Sequence, residues 1–339
     1  MRQWGRRTIA MFKICSAALL IGAFPLAGCA PAPVSRVEPV VAMDARPGGD
    51  VRVLETIWRD DARSREVPVK IYLPAGTDPA PAVIVSHGLG GSREGLAYMG
   101  RALAAHGYVA VHVQHAGSDI EAARAGPGQP MQNLAAAAGD PVVAINRFAD
   151  IPFAVTELLR LNGQPGALRR RIDGDHLAIL GHSFGAVTSL AIAGHAFPGG
   201  QTVRDPRIDV AVALSPSPPR RQTSSEAYGG IDIPVLMFTG TADTSPVDDF
   251  TPERRQEPFG ALNRAFRMLV VFDGADHGVF GGRARGPAES TDPSIQAETA
   301  RITLAFLDRF LKAQPADLAA IEAAADACLR VPGRLWSAE

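Results

Sequence analysis

The stretch Leu177-Ala178-Ile179-Leu180-Gly181-His182-Ser183-Phe184-Gly185-Ala186 decides how the chain folds. Four apolar residues bounded by a glycine read as a buried strand, and Phe184 to Ala193 carries apolar residues at the spacing of a helix. Between them lies G-x-S-x-G, a pattern short enough to arise by chance, so its weight rests on the strand before it and the helix after it. A sharp strand-to-helix turn needs glycines beside the central residue, because side chains there would collide, and it lifts the Ser183 hydroxyl above the sheet edge. The same turn sets Ser183 at a helix amino terminus, where the dipole and free amides favour negative charge. A serine N-cap between packing glycines is the plain structural alternative.

Outward from this turn, short β-branched runs alternate with segments of helical period. Strands are expected at 51–58, 67–73, 82–86, 108–113, 177–180, 210–214, 235–239 and 268–272, and helices at 95–106, 151–161, 184–193 and 295–311. Continuous apolar strands separated by helices predict an α/β fold, a mostly parallel central sheet with helices on both faces. One catalytic domain over 51–313 accounts for this rhythm. Two stretches break it, 116–141 and 215–230; both follow strand carboxyl ends, where open sheets bind ligands, and are either cleft walls or tolerated surface insertions. The segment Pro315–Leu329 is expected to be an Ala-rich helix packed on the domain, within a terminal unit spanning 314–339.

A serine hydroxyl needs a base, and His277 follows the last of these strands in Asp273-Gly274-Ala275-Asp276-His277. The strand before it is followed by Gly240-Thr241-Ala242-Asp243, which makes Asp243 the expected orienter of the imidazole; Asp248 and Asp249 lie five or more residues further from the strand end. An oxyanion would need backbone donors. The amide of Phe184 is one, and the amide of Leu89 in Ser86-His87-Gly88-Leu89-Gly90-Gly91-Ser92 is the other, since glycines there let the backbone approach a substrate. The loop lacks both G-x-G-x-x-G and a Walker lysine, so it is no phosphate-binding fingerprint.

The residues SHGLGGS (86–92), AAHGYVAVHVQHAGSD (104–119), GHSFG (181–185), TGTAD (239–243) and GADHGVF (274–280) together resemble the platelet-activating-factor acetylhydrolase and dienelactone-hydrolase-like branch of the α/β-hydrolase superfamily, over about residues 66–313. The order Ser183, Asp243, His277 is that superfamily's. The resemblance implies an α/β-hydrolase fold, a Ser183–His277–Asp243 triad, oxyanion donors at Leu89 and Phe184, and ester hydrolysis through an acyl-enzyme without a cofactor or metal. Dienelactone hydrolases proper carry cysteine where this chain has Ser183, which argues against dienelactones as substrates. Ala186-Val187 replaces a glycine common among relatives and alters only local helix packing.

Other residues are weighed against plainer roles. His112 and His115, with Asp119, would suggest a metal site only if the strand had ended between them, because residues three apart on a strand face opposite ways. His87 and His182 adjoin the oxyanion loop and the serine. Phe184 and Tyr98 are candidates for an apolar acyl wall, or for packing.

The 339 residues are 46% apolar and 20% charged, which excludes collagen-like, disordered and polytopic membrane chains. Arg2, Arg6, Arg7 and Lys13 precede an apolar run, 14–26, too short to span a bilayer, and Leu26-Ala27-Gly28-Cys29 closes it. Residues 1–28 therefore read as a secretory signal whose end resembles the bacterial lipobox, in which Cys29 would be lipidated; Arg6-Arg7 also hints at twin-arginine export. The proline-rich stretch 29–50 reads as a flexible tether. Without the signal, 30 basic residues face 35 acidic ones, so nucleic acid is not an expected partner. Cys15 falls in the signal and Cys328 has no partner, so no disulfide framework is expected.

The expected partners are a small-molecule or lipid-like ester and, through the anchor, a membrane. The expected location is the cell envelope, at the outer membrane if there are two, with a periplasmic or secreted enzyme as the alternative. Three functions stay open: hydrolysis of short- to medium-chain esters, acetylhydrolase-like; lipase, polyester, peptidase or amidase action with the same triad; and a non-catalytic ligand-binding lipoprotein. Labelling of Ser183 by a fluorophosphonate separates the last from the others.

Overall fold

Val83 and Val85 of one strand pack on one side of a sheet while Ala82 and Ile84 pack on the other, and this two-residue alternation repeats across the molecule. The computed structural model describes residues 51–125, 129–245, 247–282, 293–312 and 328–331. The strands are β1 (Arg52–Asp60), β2 (Arg65–Leu73), β3 (Ala80–Ser86), β4 (Val109–Val113), β5 (Ile172–His182), β6 (Val210–Leu214), β7 (Val235–Ala242), β8 (Arg267–Asp276) and β9 (Cys328–Val331). They form one sheet in the order β1-β2-β4-β3-β5-β6-β7-β8-β9. β2 pairs antiparallel with both β1 and β4, and the other pairings are parallel. The expected α/β class and mostly parallel sheet are what the chain forms.

Helices cover both faces. On one side α1 (Ala97–Ala105) and α8 (Pro293–Leu311) bury Met99, Leu103, Ile302 and Phe306. On the other, α4 (Pro141–Asn162) and α5 (Phe184–Ala193) bury Ile151, Val155, Leu190 and Ile192. The short helices α2 (Ile120–Arg124), α3 (Pro130–Gly139), α6 (Ser224–Tyr228) and α7 (Glu257–Ala261) lie in the connections.

Three expectations change. The helix read as 151–161 begins ten residues earlier, at Pro141, where the Asp140 side chain caps the Val142 amide; Pro152, which looks like a first-turn proline, sits inside it. The stretch 116–141, to which the sequence reading assigns no element, holds α2 and α3. Cys328 and Leu329, read as the end of a helix, lie instead in β9, paired parallel with β8. The rest of the expected terminal helix, the signal, Cys29 and the tether lie outside the described residues.

The sheet registers set up the site. β7 and β8 continue past their expected ends until Ala242 pairs with Asp276, after a register shift beside Gly240. β5 runs on until His182 pairs with Leu214 of β6. Consequently Ser183, Ser215, Asp243 and His277 are each the first residue past the carboxyl end of β5, β6, β7 and β8, four strands that are neighbours in the sheet.

Candidate active site

Ser183 occupies φ 55° and ψ −115°, a conformation that L side chains rarely adopt. Its neighbours explain how the turn closes. A Cβ on Gly181 would strike the Gly185 carbonyl, and one on Gly185 would strike the carbonyls of Ser86 and His87. Only glycine fits either place. The Ser183 amide donates to Leu214 O (2.9 Å), which ties the turn to β6.

At the carboxyl edge the Ser183 hydroxyl lies 2.8 Å from His277 Nε2, and His277 Nδ1 lies 2.8 Å from Asp243 Oδ1. A carboxylate accepts from Nδ1–H, so Nε2 carries the lone pair and accepts from the Ser183 hydroxyl. All three side chains are buried, Ser183 being 8% exposed. His182 Nε2–H donates to the His277 carbonyl (2.8 Å) and holds that loop from the elbow side. The structure thus brings together the three residues that chain order had singled out, and Asp248 is engaged elsewhere, by Arg255 Nη2 at 2.7 Å.

Asp243 is heavily solvated by protein groups. Thr239 Oγ1 donates to its Oδ2 (2.7 Å), and Arg255 Nε, also fully buried, lies 3.1 Å from Oδ1. Burial alone would raise its pKa, but hydrogen bonding to His277, the charges of His277 and Arg255 and a hydroxyl from Ser215 together hold it below the ordinary carboxylate value. Ser215 was not foreseen. Its Oγ lies 2.8 and 2.6 Å from the two carboxylate oxygens and 2.7 Å from His277 Nδ1. The available signal was positional: it is the first residue after a strand, as Ser183, Asp243 and His277 are.

Two cavities, of about 410 and 460 Å³, meet at Ser183 and Leu89. The first is walled by Phe184, Phe197, Pro218, Tyr228 and Phe250, with Arg221 among its lining residues; the second by the loop 87–91, His277, Met131 and Leu134. The stretch 215–230 supplies Ser217–Gln222 and Tyr228 to the first, and 116–141 supplies Ala138 to the first and Met131 and Leu134 to the second, so both stretches are cleft walls. Phe184 lines the cleft; Tyr98 lines neither cavity and donates its hydroxyl to Phe280 O (3.1 Å).

His112 and His115 do not converge. His112 Nδ1 donates to Gly95 O (3.0 Å), whereas His115 contacts Ser86 Oγ and Asp150 Oδ2, each at 3.0 Å. Among the described residues no group of three or more His, Cys, Asp or Glu side chains is arranged to hold a metal ion, and no helix is long and apolar enough to cross a membrane.

A parallel sheet with a strained serine turn after β5, an aspartate after β7 and a histidine after β8 defines an α/β-hydrolase. Comparison with known proteins finds similarity to platelet-activating-factor acetylhydrolases and to cutinases. Residues 53–125, from β1 through the loop after β3 to α2, match the family model "Platelet-activating factor acetylhydrolase, isoform II". "Cutinase 1" of Thermobifida cellulosilytica is 24% identical over 208 residues, 61% of this chain and 64% of that one. "Cutinase" of Thermobifida fusca (strain YX) is 24% identical over 208 residues, 61% of this chain and 56% of that one. "Platelet-activating factor acetylhydrolase" of Cavia porcellus is 25% identical over 285 residues, 73% of this chain and 62% of that one. The chain therefore spans between 56 and 64% of the length of these relatives.

Proposed function

We propose that the chain is a serine carboxylic ester hydrolase working through an acyl-enzyme. The observation that carries this reading is the unbroken relay from Ser183 Oγ to His277 Nε2 and from His277 Nδ1 to Asp243, at 2.8 Å for each step. Ser183 Oγ adds to the ester carbonyl as its proton passes to His277 Nε2. The carbonyl oxygen becomes an oxyanion facing the amides of Leu89 and Phe184, and Asp243 stabilises the imidazolium. Collapse of the adduct expels the alcohol, protonated by His277, and leaves acyl-Ser183. Water, deprotonated by His277, then releases the acid and restores the serine. No step needs a metal or cofactor.

Phe184, Phe197, Tyr228 and Phe250 offer an apolar wall to an acyl chain, and short to medium chains, acetylhydrolase-like, are the first reading. The relatives named cutinase support an ester substrate of some kind and keep lipase or polyester hydrolysis as the second reading. Amide or peptide cleavage needs the same triad but a better-protonated leaving group, so parallel ester and anilide substrates separate it.

The test is hydrolysis of p-nitrophenyl esters from acetyl to palmitoyl, alongside fluorophosphonate labelling. Ser183→Ala and His277→Ala should each lower kcat by about 10⁴-fold, and the double variant should be little worse than either. Additive losses, or a wild type that takes no label, would sink the reading and leave a ligand-binding protein. A maximum at palmitoyl with activation at interfaces would favour lipase action instead.

The proposal extends to place. Cys29, after Leu26-Ala27-Gly28, is the acylated first residue of a mature lipoprotein, and 30–50 tethers the hydrolase to a membrane. Cys29→Ser should release the protein from the membrane fraction or block its processing. Wild-type mature protein free in the periplasm or medium, with an unmodified amino terminus, would refute the anchor and leave the hydrolase argument intact.

A further inference from the structure

Arg147, on α4, is a cation with no solvent access at all. Its Nε donates to Thr188 Oγ1 (2.8 Å), Nη1 to Ser118 Oγ (2.9 Å), and Nη2 to Ser86 Oγ (3.0 Å) and to the His87 carbonyl. All four of these acceptors are neutral. Burial pulls Arg147 down to about 9, with the charges of Asp150 and Asp119 acting against it, so it stays protonated at neutral pH. A buried charge held this way is a poor source of stability, because a well-packed apolar side chain of similar volume often does as well. What an apolar side chain cannot do is hold particular oxygens at fixed distances.

The oxygens that Arg147 holds belong to the two halves of the oxyanion site. On one side, His87 precedes Gly88 and Leu89, and its carbonyl is bound directly. Ser118, bound through its hydroxyl, accepts the Gly90 amide on its own carbonyl (2.8 Å). Leu89 is therefore flanked by two residues anchored to Arg147. On the other side, the Thr188 hydroxyl that accepts from Arg147 also donates to the Phe184 carbonyl (2.9 Å), and the guanidinium lies over the Phe184 ring, 4.6 Å from its centroid. One planar fork thus spans the loop carrying Leu89 and the helix start carrying Phe184. A lysine has neither the span nor the fixed directions.

We propose that Arg147 is a positioning residue of the oxyanion hole, setting the separation of the Leu89 and Phe184 amides so that both reach the developing oxyanion. The proposal rests on the ester-hydrolase reading above. It touches no reacting atom; it fixes two donors that act only once charge has formed, so its loss belongs in kcat and not in KM.

The experiment measures kcat and KM per active site, counted by fluorophosphonate titration, for wild type, Arg147→Lys and Arg147→Met, together with inhibition by a trifluoromethyl ketone, which forms an anionic adduct with serine. Expected are kcat losses of roughly 10- to 100-fold in both variants, KM within about threefold, and ketone affinity falling in parallel with kcat/KM, the scale on which single oxyanion donors act. Thr188→Val and Ser118→Ala, which each cut one arm of the fork, should show the same pattern more weakly and carry the test if Arg147→Met does not fold. Variants with fewer titratable sites or a lower melting temperature, but with kcat per site and ketone affinity within twofold of wild type, would overturn the role of Arg147 alone. A wild type with neither label nor turnover would overturn the hydrolase reading and this proposal with it.

Discussion

Ser215 shows how much a single hydroxyl can be asked to do. It has one proton and three polar atoms within reach, Asp243 Oδ1, Asp243 Oδ2 and His277 Nδ1. Because Nδ1 already donates to Asp243, the Ser215 proton goes to the carboxylate, in a charge-assisted bond. Such a bond is worth about 1.5–3 kcal/mol, so Ser215→Ala should lower kcat/KM by about 10- to 100-fold, far less than loss of Ser183 or His277. Steady-state kinetics decide it. An unchanged kcat/KM would mean that Thr239 and Arg255 suffice to hold Asp243.

At the scale of elements, the elbow works because β5, α5 and the loop after β3 come closer than side chains allow. Gly185 sits against the backbone of Ser86 and His87, which cannot swing aside as a flexible side chain could. Gly185→Ala should therefore cost about 3 kcal/mol or more of stability, at the upper end of overpacking, and abolish labelling of Ser183. Gly260, in α7, has nothing within 4 Å of where a Cβ would stand, so Gly260→Ala should be neutral or slightly stabilising. Thermal melts of the two variants, side by side, test whether the close approach or the mere presence of glycine matters. Equal melting temperatures would contradict the steric account.

For the whole molecule, the buried histidines set the acid limit of the fold. His112, His115 and His195 are each lowered from 6.5 to about 4, burial being the largest cause and, for His115, the Arg147 charge the next. The unfolded chain binds these protons first. Stability is then fully present above about pH 6.5 and is lost as pH falls from there to about 4, on the order of 2–3 kcal/mol per histidine. Asp150 continues the loss. Burial would raise it, but hydrogen bonds from His115 and Arg65 hold it at about 2, so its contribution goes between the ordinary aspartate value and about 2. Asp150, on α4, also pairs with Arg63, Arg65 and His115, and so ties the β1–β2 turn and the start of β2 to that helix. Urea unfolding from pH 7.5 to 4.5 should show stability falling through the histidine range. A flat profile there would show that these histidines take up protons in the folded state as freely as in the unfolded one.

The periodicity of apolar residues by itself determined the α/β class, eight of the nine strands and the helix after the elbow, because burial on two sheet faces leaves a local two-residue and four-residue imprint on the chain. Chain order by itself also singled out Ser183, Asp243 and His277, since an active residue at a strand's carboxyl end is flagged by the strand before it. Ser215 carried the same flag and was passed over, because a serine invites no chemistry until an aspartate is seen 2.6 Å away. Arg147 carried no flag at all: nothing near it in sequence says that α4 will lay it against residues 86–87 at the end of β3, 118, and 188 on α5. The start of α4, the helices within 116–141 and the strand at 328–331 were likewise settled only in the folded molecule. In each of these the deciding contacts come from residues distant in the chain, and long-range packing and hydrogen bonds leave no local period to read.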